Sequence, residues 1–205
     1  MKIGLTECIS IFGMRGCGKS HLAREIAELF PRKIIIDPMS EYKGDFVVSD
    51  FNNFAKILKT EIIQKNNQKY TVVFRPSPHI KSTDSLFDSL MRLVFELGNC
   101  LVLIDEVQLF SNPHFLPHYL KNILMIGRHR GIAVMAITQR PAQINKAILA
   151  QSAHIFCGQL HEKNDILHVA DFINIEKNKL VTLGKRKFIY FSPFSEGIKI
   201  FSTEK

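Results

Sequence analysis

The stretch Gly13–Ser20 constrains the fold more than any other part of this sequence, because it reads G-x-x-x-x-G-K-S, the phosphate-binding loop of nucleoside triphosphatases. The mostly apolar run Cys8–Phe12 before it predicts a buried strand. The spacing of Leu22, Ile26 and Leu29 after it predicts an amphipathic helix. A strand, a glycine-rich loop and a helix in this order surround a phosphate with backbone N–H groups and the positive end of a helix dipole.

The polar residues of the loop have distinct predicted contacts with a nucleotide. Lys19 can reach the β- and γ-phosphates, and the Ser20 hydroxyl can bind Mg²⁺. The residues predicted to bind the nucleotide are Gly13, Arg15, Gly16, Cys17, Gly18, Lys19, Ser20 and His21. The alternative is a glycine-rich turn that binds nothing, and the flanking strand and helix argue against it.

The composition predicts a globular protein with a basic surface. A chain of 205 residues suits one domain spanning residues 1–205 with a sizeable core. Lys and Arg number 27 against 19 acidic residues, and the resulting net charge of +8 favours a polyanionic partner such as nucleic acid. A generally lysine-rich composition without a nucleic-acid partner is the alternative.

The cysteines and the termini indicate a cytoplasmic protein. The four cysteines are scattered and form no C-x-x-C pair, so we expect small apolar residues in a reducing compartment rather than disulfides or a metal site. No apolar run approaches the ~20 residues of a membrane helix, and Met1–Gly4 leads directly into the first strand without a signal peptide.

Apolar runs alternate with segments of helical spacing along the rest of the chain. The further predicted strands are 33–36, 46–48, 71–74, 100–104, 132–137 and 154–157. The further predicted helices are 50–58, 84–97, 119–126, 143–151 and 164–172. Residues 187–191 and 197–201 have the pattern of a hairpin. The predicted fold is therefore α/β, with a mainly parallel central sheet flanked by helices, a C-terminal hairpin, and ligands at the carboxyl ends of the strands.

Three polar side chains follow buried strands of this predicted sheet. Asp105 is expected to hold Mg²⁺, and Glu106 is expected to act as the base that polarises the attacking water. Gln139 follows the next strand and is placed to sense the γ-phosphate. Capping of a loop or helix is the alternative for each, and for Gln139 it explains the residue equally well.

Basic residues cluster at 127–131, just before the strand that ends near Gln139. An arginine from this turn could reach the phosphates of a neighbouring subunit and raise the hydrolysis rate by roughly 10³–10⁵. A solvated basic turn, or one that touches DNA phosphates, is the alternative.

Together these motifs resemble the FtsK/HerA superfamily of DNA-pumping ATPases. The segments that carry the resemblance, in chain order, are Gly13–Ser20, Asp37-Pro38-x-x-Glu41-Tyr42, Leu103–Glu106, Gly127-Arg128-His129-x-Gly131-Ile132 and Thr138–Pro141. Thr138–Pro141 is the most distinctive of them, and the Asp37 turn leans toward the HerA side. Compact members of the superfamily resemble the genome-packaging ATPases of viruses and phages with internal membranes.

The resemblance implies a RecA-like core, an Mg-ATP requirement, a homo-oligomeric ring of usually six subunits, and double-stranded DNA in its channel. It assigns phosphate and Mg²⁺ contacts to Lys19 and Ser20, a second metal contact to Asp105, the base to Glu106 and the γ-phosphate sensor to Gln139. It favours Arg128 as the arginine acting on a neighbouring subunit, with Arg130 as the second choice. Each of these residues matches a motif position in this sequence.

Departures from the superfamily narrow the expected function. HerA-like repair translocases carry an N-terminal β-barrel and a helical insertion, and FtsK-type pumps carry membrane spans and a winged helix; neither set is expected here. We therefore expect packaging of a viral genome in the host cytoplasm, with a capsid or portal-vertex protein as a possible partner at the virion vertex. The alternatives are plasmid or conjugative transfer, repair, filamentous-phage assembly, a small-molecule kinase and a regulatory switch.

DNA contacts are harder to assign from the sequence than nucleotide contacts. The candidates are Lys121, the loop 107–117, Lys146 and the run Lys185-Arg186-Lys187, and each is also typical of an ordinary solvated charge. A pump should hold backbone phosphates without reading bases, so we expect salt-sensitive, sequence-tolerant binding to double-stranded DNA.

Overall fold

The computed structural model describes residues 3–76, 83–195 and 197–203, and its centre is a nine-stranded sheet of order β3-β4-β2-β5-β6-β1-β7-β8-β9. The strands are β1 Cys8–Phe12, β2 Arg32–Ile36, β3 Phe46–Val48, β4 Tyr70–Phe74, β5 Leu101–Ile104, β6 Ala133–Thr138, β7 His154–Cys157, β8 Lys187–Phe191 and β9 Lys199–Ser202. The α-helices are α1 Lys19–Ala27, α2 Phe51–Ile57, α3 Thr83–Leu97, α4 His118–Ile126, α5 Lys146–Ala150, α6 Lys163–Ile173 and α7 Lys177–Val181.

The sheet is parallel from β3 to β7 and antiparallel from β7 to β9. Every residue of β5 and β6 is buried, as expected for strands covered by helices on both faces. Apolar side chains form one core cluster on each face of the sheet. The predicted α/β fold, with a mainly parallel sheet and a C-terminal hairpin formed by β8 and β9, is confirmed. The assignment of residues 1–205 to one domain stays a prediction.

The order of the central strands decides which loops meet. Strand β6 lies between β1 and β5 and pairs in parallel with both. The phosphate loop after β1, Gln139 after β6, and Asp105 and Glu106 after β5 therefore lie along one edge of the sheet. This edge carries the candidate site.

Several helices differ from their predicted extents. Helix α1 ends at Ala27, so Leu29 lies beyond it and is 53% exposed, and its expected place on the apolar face of the helix is wrong. The helix predicted over 143–151 is shorter, because the Asn145 side chain accepts a hydrogen bond from Ala147 N and caps α5. Patterns of apolar spacing did not reveal the π-helical turn Leu58–Gln64 or α7.

Candidate nucleotide-binding and hydrolysis site

The phosphate loop joins β1 to α1 and ends in Gly18, the N-cap of α1. Gly18 has φ 108° and ψ 12°, in the left-handed region that favours glycine. No side chain caps the helix at this position, and His21 N donates to the Gly18 carbonyl, so the N–H groups of Lys19 and Ser20 at the start of the helix can donate to an anion. The loop residues Arg15 and Gly16 are exposed beside this helix end, while Ser20 and His21 are half-buried in its first turn. The arrangement suits an anion.

Lys19 lies across the loop rather than out in solvent. Its side chain is buried, and Nζ donates a hydrogen bond to the Met14 carbonyl over 3.1 Å. Cys17 points the other way: its Sγ lies 2.6 Å from the position that a Cβ on Gly13 would occupy. Burial raises the pKa of the Cys17 thiol. Among the predicted loop contacts, Cys17 therefore does not present its thiol to a nucleotide.

Asp105 is the buried carboxylate at the end of β5. It is 3% exposed, and burial together with the nearby carboxylates Glu106, Glu41 and Asp37 raises its pKa to about 7. Burial and the neighbouring negative charges make the ionised form of Asp105 unfavourable. A divalent cation prefers oxygen ligands and would offset the repulsion between these carboxylates. In the described part of the chain no three His, Cys, Asp or Glu side chains converge on a metal position. Mg²⁺ at Asp105 would draw its other ligands from Ser20, phosphate oxygens and water.

Glu106 has both carboxylate oxygens held by amides. Gln139 Nε2 donates to Oε1 over 2.7 Å, and Gln108 Nε2 donates to Oε2 over 2.5 Å. The backbone of Glu106 is left-handed, with φ 51° and ψ 53°, a strained conformation for a residue with a side chain. The structure thus brings together Glu106 and Gln139, two residues predicted from separate motifs.

Gln108 belongs to this network, although sequence reasoning missed it. Its Oε1 accepts a hydrogen bond from Thr138 Oγ1 over 2.6 Å, so the amide connects Thr138 to Glu106. Gln108 lies in the short 3₁₀ helix Val107–Leu109, which the sequence pattern presents only as a loop. The available signal was an amide side chain two residues after the candidate base.

The turn that presents Gln139 is anchored on both sides. Arg140 N donates to Thr138 Oγ1, and Arg140 Nε donates to Asp165 Oδ2 over 2.9 Å. The other oxygen of buried Asp165 accepts from Ala142 N. Asp165 was also missed, because it lies on α6, far along the chain from the turn it holds.

The Asp37 turn follows β2 at the same edge of the sheet and is held by its own hydrogen bonds. The buried Asp37 carboxylate accepts from Glu41 N and Tyr42 N, and from Arg75 Nε over 3.2 Å. Its oxygens are therefore occupied by the protein. Glu41 is exposed and close enough to raise the pKa of Asp105.

The two candidate arginines lie at the opposite edge of the sheet, in the 3₁₀ turn Gly127–Arg130 before β6. Arg130 is anchored: Nε donates to the Phe95 carbonyl over 2.6 Å, and its guanidinium lies 4.8 Å from the Phe95 ring centre. Arg128 is exposed and borders a cavity of about 460 Å³. Neither arginine reaches the acidic pair of its own chain.

The candidate DNA-binding lysines are all exposed, but they are dispersed. Lys121 lies on α4 and Lys146 begins α5, whereas in the run Lys185-Arg186-Lys187 the backbone of Arg186 contacts the phosphate loop. No described helix combines the length and the apolar character needed to cross a bilayer.

Comparisons with known proteins agree with this geometry. The family model described as "ATPase family associated with various cellular activities (AAA)" matches residues 9–159, which contain the phosphate loop, the acidic pair and Gln139. By sequence, no curated protein matches the chain.

Solved structures share the fold at low sequence identity. The genome packaging NTPase B204 of Sulfolobus turreted icosahedral virus 2, in complex with AMPPCP, is 20% identical with a TM-score of 0.75, over 96% of this chain and 97% of that one. B204 of Sulfolobus turreted icosahedral virus, a DNA-packaging ATPase, is 19% identical with a TM-score of 0.72, over 98% of each chain. The pCW3 conjugation coupling protein TcpA is 17% identical with a TM-score of 0.58, over 98% of this chain and 62% of that one. The predicted resemblance to packaging ATPases is confirmed at the level of the fold.

Proposed function

Because this chain belongs to the ATPase family associated with various cellular activities, we propose that it hydrolyses ATP to move double-stranded DNA, and that it packages a viral genome. The proposal rests on the hydrogen bond from Gln139 to Glu106, which lies at the same edge of the sheet as the phosphate loop. This arrangement suits a base and a polar sensor that act on a terminal phosphate.

The residues of the site divide the hydrolysis between them. The N–H groups of the loop and Lys19 Nζ hold the phosphates, and Ser20 and Asp105 would hold Mg²⁺, which neutralises the charge that develops on the phosphate oxygens. Glu106 accepts the proton of the attacking water, since both its oxygens are acceptors oriented by amides. Gln139 donates a hydrogen bond to Oε1 of Glu106 and can respond to the γ-phosphate.

We assign the arginine that acts between subunits to Arg128. Arg130 is committed to the carbonyls of Phe95 and Glu96, whereas Arg128 is exposed at the far edge of the sheet from Glu106. An arginine in that position can complete a site only in a neighbouring subunit. This supports a homo-oligomeric ring, for which six subunits is our proposal.

Three observations support DNA as the substrate that is moved. The net charge is +8, and such a charge favours a polyanion. The motifs resemble DNA pumps. The structural likeness extends over 97% and 98% of two packaging ATPases. We place the activity in the host cytoplasm, with a capsid or portal-vertex protein as partner.

The decisive test is the ATPase rate of Glu106→Gln, with and without duplex DNA. The variant should bind ATP as the wild type does and hydrolyse it at least ~100-fold more slowly, because the glutamine cannot accept the proton from water. The matched control is Glu176→Gln, a change at an exposed glutamate on α7's N-terminal side. Hydrolysis by Glu106→Gln within a few-fold of the wild type would refute the assignment of the base.

DNA dependence is measured on the wild type in the same assay. Duplex DNA should stimulate phosphate release irrespective of sequence, and the stimulation should fall as salt rises from 50 to 200 mM, since it depends on phosphate contacts. A rate of phosphate release that does not change with DNA would contradict the DNA-pump proposal and favour the regulatory switch. Phosphorylation of a small-molecule acceptor would contradict it in favour of the kinase.

A further inference from the structure

Arg186 is held against the phosphate loop by its backbone. Its N–H donates a hydrogen bond to the Cys17 carbonyl over 2.9 Å, and its own carbonyl accepts from Thr203 N over 3.1 Å. A Cβ on Gly18 would lie 3.2 Å from Arg186 Cγ and 3.5 Å from its Cα. The C-terminal part of the chain thus places an arginine directly on the loop residue that caps α1.

The conformation of Arg186 is unusual for an arginine. Its φ is +60°, in the left-handed region, where a glycine would be unstrained. The two backbone hydrogen bonds hold it there. A strained backbone maintained in this way is a reason to ask what the side chain does.

The guanidinium of Arg186 is available to a ligand. The residue is exposed, and over residues 3–76, 83–195 and 197–203 nothing accepts a hydrogen bond from its side chain. The run Lys185-Arg186-Lys187 is a DNA-contact candidate from the sequence, but the hydrogen bond from Arg186 N to the Cys17 carbonyl holds Arg186 at the phosphate loop.

The sheet order fixes the side from which Arg186 approaches. Arg186 directly precedes β8, which lies two strands from β1 on the side of β7, whereas β5 with Asp105 and Glu106 lies two strands away on the other side. The γ-phosphate must lie on the side of Glu106 for water to attack it. The opposite side of the loop therefore faces the nucleoside end of the nucleotide.

We propose that Arg186 binds the α-phosphate of the nucleotide held in its own subunit. The inference rests on the proposed nucleotide binding and adds a residue to it. A guanidinium paired with a phosphate is a charge-assisted contact that needs no base recognition. Because ATP and ADP share the α-phosphate, the contact should hold both nucleotides equally and persist after hydrolysis.

The test is isothermal titration calorimetry of Arg186→Gly with AMPPCP and with ADP in the presence of Mg²⁺. Glycine keeps the left-handed backbone and the hydrogen bond to Cys17, so the change removes the side chain alone. The affinity for both nucleotides should fall about tenfold, by the same factor, with the circular dichroism spectrum unchanged. Arg186→Lys should recover part of the loss, and Lys185→Ala, a change at an exposed neighbour, should stay within twofold of the wild type.

The outcomes separate this inference from the proposed function. Affinities of Arg186→Gly within twofold of the wild type for both nucleotides would overturn the inference alone. A loss confined to AMPPCP would also overturn it, because the side chain would then act at the γ-phosphate. A wild-type chain that binds neither nucleotide would refute the proposed function, and this inference with it.

Discussion

Replacing Asp105 with asparagine should stabilise the protein at neutral pH in the absence of Mg²⁺ and nucleotide. Asp105 is 3% exposed, and burial and the neighbouring carboxylates raise its pKa from 3.8 to about 7. Its charge is therefore an unfavourable feature of the folded chain, which a cation can offset and asparagine removes. The side chain that we assign to metal binding is thus a source of instability.

The size and sign of the effect follow from proton linkage. Below pH 3.8 the carboxyl is protonated in both states; as pH rises from 3.8 to about 7 the unfolded chain loses the proton while the folded chain keeps it, so stability falls. At about 1.4 kcal/mol per pH unit the full loss is about 4 kcal/mol, of which about 2–3 kcal/mol falls between pH 5 and pH 8. Asparagine does not titrate, so the advantage of the variant should grow by that amount over this range.

Urea unfolding followed by circular dichroism at pH 5 and pH 8, with EDTA present, measures this difference. Asp50→Asn is the matched control: Asp50 is an exposed helix cap whose pKa is lowered chiefly by the hydrogen bond from Asn53 N, so its titration ends below pH 5. Its difference from the wild type should be the same at both pH values. If the difference in free energy of unfolding between Asp105→Asn and the wild type is the same at pH 5 and pH 8, or is smaller at pH 8, the reasoning about the buried charge is refuted.

Three other changes test separate parts of the structure. Arg128→Ala should abolish hydrolysis without lowering the melting temperature, and mixing it with Lys19→Ala subunits should restore some turnover; no turnover at any ratio would contradict action between subunits. Arg130→Ala should instead lower the stability by about 1–2 kcal/mol, since it removes hydrogen bonds to two carbonyls and a contact with a ring; an unchanged urea midpoint would contradict its structural role. Gly18→Ala should destabilise by roughly 1–2 kcal/mol and weaken nucleotide binding, because φ is +108° and the new Cβ would meet Arg186 Cγ at 3.2 Å; calorimetric and thermal values like those of the wild type would show that the strain is absent.

The parts of the site that the sequence could predict are those encoded locally. The loop Gly13–Ser20 is a motif whose glycines and lysine act within eight residues, and Asp105 and Glu106 end an apolar run that can only be a buried strand. The shared edge of Glu106 and Gln139 was expected from a parallel sheet, but their direct contact depends on the place of β6 between β1 and β5, which the sequence did not provide.

The parts that could not be predicted depend on backbone geometry or on distant contacts. Gln108 reaches Glu106 because Glu106 is left-handed and a 3₁₀ turn follows, neither of which has a sequence pattern here. Asp165 contacts Arg140, which lies 25 residues before it, and Arg186 contacts Cys17, which lies about 170 residues before it. Patterns of residue spacing do not reveal contacts over such distances in the chain. Leu29 fits the apolar spacing of α1, but the helix ends before it.

Strand β6 joins two residues that are assigned to different nucleotide sites of the proposed ring. The turn with Arg128 lies ahead of its first residue, and Gln139 directly follows its last. Six extended residues span about 20 Å, and in this fully buried strand they form a stiff link between the two ends. If the departure of a subunit's own γ-phosphate displaces Gln139 and this strand, Arg128 moves with them, which physically couples one nucleotide site of the proposed ring to the next.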